Sequence, residues 1–145
     1  MAGIESTDAR WPVLLFRLNE SLEIEDYERL FALYELSYAR GERFVSIIEG
    51  KRVLQVPGPA ARKLIAVKAK EHEPHSIRWV AQSTVVVQNG LVRGAVTAIT
   101  WLSPPVYPLS FEPTLQAAVE TVAGALKREG RDLPYAIRDR LLAYG

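Results

Sequence analysis

Strand-length apolar runs alternate with segments of helical period along this chain, and that alternation narrows its possible folds more than any other feature. Trp11 to Leu18 (WPVLLFRL) is a continuous apolar run bounded by Asn19-Glu20-Ser21 and reads as a buried strand, Arg43 to Glu49 (RFVSIIE) is a second, and Val80 to Gln88 (VAQSTVVVQ), β-branched and bounded by Asn89-Gly90, is a third. Val106 to Phe111 (VYPLSF) is a fourth, but Pro108 confines it to a sheet edge. Between the first two, Tyr27, Leu30, Phe31, Tyr34 and Tyr38 form one stripe of a helix from about Ser21 to Arg40. Glu23, Glu25 and Asp26 occupy its first turn, where the helix dipole favours acids, and Gly41 is the expected stop.

Three more helices follow the same logic. Ala61, Leu64, Ile65 and Lys68 mark one from about Ala60 to Glu73, with Pro74 expected to end or kink it and a short turn continuing to Trp79. Leu91 to Leu102 is apolar on nearly every side and stops at Pro104-Pro105. Pro113 suits the first turn of the fourth, where Leu115, Ala118, Val119, Val122 and Leu126 face inward as far as Gly130. The order β-α-β-α-β-α-β-α predicts an α/β domain with a single, mostly parallel sheet of about four strands covered by helices. It spans residues 11–130, after a loosely ordered segment 1–10 and before a helical tail 131–145.

Composition removes several classes of function. The 145 residues contain no cysteine, which excludes a disulfide scaffold and thiolate metal sites. At this length roughly two-thirds of the unfolded chain's surface can be buried, enough for a core without cross-links. Eighteen Lys and Arg against seventeen Asp and Glu give a net charge of +1, so no long-range attraction to nucleic acid or anionic membranes is expected. The first ten residues are not a secretory signal, and stretches such as Ala95 to Leu102 are too short to cross a bilayer. A cytoplasmic location is the expectation.

The opening WPVLLFRL strand, the Tyr/Leu helix ending in ARGERF and the VVVQNGLVRGAVTAITWLSPPVYPL segment carry a resemblance. Across residues 11–129 the chain resembles small bacterial members of the STAS family, the sulfate-transporter and anti-sigma-factor-antagonist or SpoIIAA-like domains. The resemblance implies a non-enzymatic domain that docks other proteins. In phosphorylated members a switch Ser or Thr opens the second helix, which corresponds to Glu49 to Ala61 here. No Ser or Thr occurs between Ser46 and Ser76, so the hydroxyl that would accept phosphate is missing.

Candidate chemistry is sparse. His72 and His75, in KEHEPHS, are three residues apart, but Pro74 interrupts the helical geometry and a closed metal site needs further ligands. They read as part of a solvated helix end. No Gly-x-Ser-x-Gly elbow occurs, and no phosphate-cradling glycine motif. The acids of the first helix read as a solvated face. No catalytic residue, metal or cofactor is therefore assigned. Lys51, Arg52, Arg62 and Lys63 flank Pro57-Gly58-Pro59 and make a candidate anion site at a helix amino end, although the prolines remove amide donors.

Surplus apolar surface says more. Leu33 and Leu36 point away from the inward stripe of the first helix, Leu36 lying about 180° from Tyr27 at 100° per residue. Val92, Val96, Ile99, Trp101 and Leu102 cannot share one face of the third. Either the tail, with Leu133, Ile137 and Leu141, covers that helix or another chain does. Leu33, Leu36, Arg40, Arg93, Val96 and Trp101 are thus the candidate interaction surface of a homodimer or of a complex with another protein. A small apolar ligand or lipid held between sheet and helices is the alternative function, and an enzyme is a third.

Overall fold

A computed structural model describes residues 3–102 and 104–143, apart from the side chains at 95 and 98–102. The elements, in chain order, are β1 (Ile4–Arg10), β2 (Val13–Leu18), α1 (Ile24–Tyr38), β3 (Phe44–Glu49) and α2 (Pro59–Trp79). They continue with β4 (Val80–Val86), α3 (Gly90–Leu102), β5 (Leu109–Glu112), α4 (Leu115–Arg128) and α5 (Tyr135–Ala143). One sheet runs in the order β1-β2-β3-β4-β5, parallel throughout except for the antiparallel pair of β1 with β2.

The fold class is therefore α/β with a mostly parallel sheet, but the sheet has five strands rather than about four. The extra one, β1, lies where a loose segment was expected. Its residues are polar because it is an edge strand and most of its side chains face solvent, while the backbone pairs with β2 from Ile4–Leu18 to Arg10–Val13. At the other edge β5 holds four residues, beginning just after Pro108 as that proline requires.

Because each parallel strand is laid down beside the previous one, repeated right-handed crossovers carry α1, α2 and α3 to the same face of the sheet. On that face Leu14, Phe16, Phe44 and Val80 pack against Leu30 and Tyr34 of α1. Val13, Leu15, Val45 and Ile47 point the opposite way, as alternation demands, and are covered by Val119, Val122 and Leu126 of α4. The tail helix α5 joins this second layer, with Leu141 fully buried. It therefore does not cover α3.

Local signals explain most boundaries. Glu23 and Asp26 form a reciprocal capping box at the start of α1, and Gly41 ends the segment at φ +70°, a conformation that favours glycine. Thr114, not Pro113, opens α4, its hydroxyl accepting from the Ala117 amide at 3.1 Å. The helix α2 runs through Pro74 to Trp79 instead of stopping there. Pro74 and Lys70 are both exposed, so the carbonyl deprived of its donor faces water.

Candidate functional site

The helix layer does not seal onto the sheet everywhere. A cavity of about 240 Å³ lies between them, walled by Ile48 and Val85 of the sheet, Phe31 of α1, Ile65 and Ala69 of α2, and Val96 of α3. Its origin is local: α2 places Ala66 and Ala69 where larger side chains would fill the gap. Gln55, Pro104 and Val106 are the exposed residues of the lining, so the space opens beside the β3–α2 loop and beside the segment before β5. The volume exceeds the roughly 150 Å³ that accommodates a benzene ring, and approaches the about 300 Å³ at which drug-sized pockets begin.

Several polar groups in the wall pair with one another, while Tyr27, Gln55, Glu73 and Tyr107 also line it. The Tyr34 hydroxyl hydrogen-bonds Ser46 at 2.7 Å, and Ser46 donates to Ser83 at 2.8 Å. Tyr38 meets Nδ1 of His72 at 2.9 Å and the Ser76 hydroxyl at 3.3 Å, while Ser76 donates to the His72 carbonyl at 3.0 Å. On the outer side, the Glu35 carboxylate lies 3.3 Å from Nε2 of His72. With Nδ1 accepting from the phenol, the ring proton sits on Nε2, facing Glu35. Phe31 packs edge-on against His72, and His75 stacks on Tyr38.

Burial sets the charge state of these groups. It raises the Tyr34 phenol, and pushes Tyr38 up to about 12 despite the lowering effect of its Ser76 bond. It lowers His72, against which Glu35 acts in the opposite direction. At neutral pH the pair rests as phenol and neutral imidazole, which suits hydrogen bonding better than proton abstraction. Carbon is what the wall offers a guest.

The expected solvated helix end therefore holds for His75 but not for His72, which is 5% exposed. The missed signal is spacing. Ala61, Ile65, Ala69, His72 and Ser76 follow one another at intervals of three or four, so His72 continues the inward stripe of α2. Among the described residues no three metal-ligating side chains gather.

The candidate interaction residues are dispersed. Leu36 stands on the outside of α1 at 69% exposure, while Leu33 is half-buried against the α1 core. Arg40 pairs with Asp8 of β1 and lies 4.1 Å over the Trp11 ring. Val96 packs inward with Val53, Val87 and Val92, and Arg93 is exposed on the first turns of α3. The strand order sets α2 between α1 and α3, so these residues do not form one patch. The Trp101 side chain lies outside the described residues.

Lys51, Arg52, Arg62 and Lys63 are all exposed around the β3–α2 loop. Arg62 reaches back to the Pro57 carbonyl at 3.4 Å. Glu49, at the strand end before this loop, is buried, accepts from the Lys51 amide at 2.9 Å and lies 3.4 Å from the Arg17 guanidinium. Comparison with protein-family models, curated proteins and solved structures finds no match to this chain. No helix among the described residues is long and apolar enough to cross a membrane.

Proposed function

We propose that this chain is a non-catalytic, STAS-like binding domain of the cytoplasm that holds a small apolar ligand between its sheet and the α1–α3 layer. The STAS-like reading is supported by the succession β2-α1-β3-α2-β4-α3-β5-α4. The observation that carries the ligand reading is the cavity, whose wall is mostly apolar and whose Tyr34 and Tyr38 hydroxyls are already hydrogen-bonded. Titration calorimetry with 1-decanol tests it. Saturable one-to-one binding is expected, reduced at least tenfold by Ala69→Phe, which fills the space. Absence of binding, or equal binding by the filled variant, overturns the reading.

A protein-docking role, including self-association, is the second reading, with Leu36, exposed on the outer side of α1, as the contact it would use. Sedimentation at high micromolar concentration is expected to reveal a dimer that Leu36→Asp weakens. A monomer unchanged by that substitution overturns it.

A further inference from the structure

The net charge of +1 conceals a segregated distribution. From Gly50 to Phe111 the chain carries eight Lys and Arg against two acids, Glu71 and Glu73. Both acids sit roughly three turns along α2, away from its amino end.

The fold gathers much of this basic charge at one edge. The loops after β3 and β4 leave the carboxyl ends of two paired strands, and Val53, Val87 and Val92 pack together to join them. Lys51, Arg52, Arg62 and Lys63 are exposed on the first loop and the start of α2, and Arg93 on the start of α3. Arg52, Lys63 and Arg93 form no ion pair among the described residues. Of the acids at the carboxyl ends of the neighbouring strands, Glu49 is turned inward toward Arg17, the Glu112 carboxylate accepts from the Thr121 hydroxyl at 2.9 Å, and Glu20 follows β2.

The same edge exposes aliphatic side chains. Leu91 is 75% exposed and Leu54 61%, with Val56 beside Gln55 at the cavity opening. Exposed aliphatic groups standing among exposed cations, on the edge that carries one opening of an apolar cavity, match the interfacial zone of an anionic bilayer: the aliphatics enter the acyl boundary and the cations meet headgroups. An acidic protein surface would satisfy the cations but give the cavity no apolar phase with which to exchange its guest.

We propose that this edge, formed by the 50–58 loop and the starts of α2 and α3, docks on anionic lipid bilayers and that the cavity exchanges its apolar ligand there. The exchange step rests on the ligand-binding reading above, whereas the docking step does not.

Flotation of the full chain with phosphatidylcholine vesicles, with or without one-quarter phosphatidylglycerol, separates the two. Binding to the anionic vesicles is expected at low salt, falling steeply between 50 and 300 mM NaCl, by about tenfold or more, as surface charges are screened. Arg52→Glu with Lys63→Glu, and separately Leu54→Asp with Leu91→Asp, are expected to lower it about tenfold. Neither pair should change 1-decanol affinity in solution. Ala69→Phe is expected to abolish decanol binding while leaving flotation intact, so failure of the cavity reading is distinguishable from failure of docking. Equal binding to neutral and anionic vesicles, no binding to either, or binding indifferent to both double variants overturns the proposal. So does binding of poly-glutamate, lost in Arg52→Glu with Lys63→Glu, by a chain that ignores vesicles.

Discussion

The Tyr38 hydroxyl and Nδ1 of His72 meet at 2.9 Å, fastening α1 to α2 across 34 residues of sequence. Removing the phenolic oxygen leaves a buried imidazole nitrogen without its partner. Tyr38→Phe is therefore expected to cost about 1–3 kcal/mol, read as a lowered urea midpoint at constant slope. A midpoint unchanged from the wild type would show that the bond contributes nothing net.

The same imidazole makes stability depend on pH. Burial lowers the His72 pKa below 6.5, and nearby Lys68 and His75 add to that, while Glu35 opposes it. The unfolded chain then binds a proton at a higher pH than the folded one. The contribution is fully present above the unfolded value near 6.5 and is lost as pH falls from there toward the folded value. Thermal melts are expected to fall between pH 7.5 and 5.5, and His72→Gln should flatten that decline.

Glu49 and Arg17 form a second test at a buried position. Their charged atoms are 3.4 Å apart, with the Glu49 side chain 2% exposed and that of Arg17 16%. Glu49→Ala strips the guanidinium of its carboxylate and the Lys51 amide of its acceptor. A loss of about 3 kcal/mol is expected by chemical denaturation. Glu49→Gln, which keeps an acceptor, should lose less.

Leu141 is fully buried in the layer that α4 and α5 lay over the sheet. Leu141→Ala is expected to cost about 2–5 kcal/mol, whereas Leu36→Ala on the open side of α1 should stay within about 0.5 kcal/mol. Comparable losses at the two sites would contradict the layer arrangement.

Where periodicity and burial agreed, the elements were readable in advance. The strands β2 and β3 are largely apolar because both faces are covered, β4 is marked by its β-branched residues although Gln82, Ser83 and Thr84 are buried and polar, and α4 carries its stripe openly. The strand β1 was hidden because an edge strand with one covered side shows no such run. Pro74 obscured the true length of α2, since a helix can pass through proline where the freed carbonyl meets water. The cavity was not legible at all. It arises from what Ala66 and Ala69 fail to fill, and emptiness between layers leaves no mark on any one segment.

The placement of α4 and α5 also bears on how this polypeptide emerges during synthesis. The strand residues Val13, Leu15, Val45 and Ile47 are made long before residues 115–143, which cover them. A nascent chain halted before α4 would carry a half-clad sheet with one greasy side open to neighbours. Vectorial translation thus leaves this protein most dependent on chaperones just before its last two helices leave the ribosome.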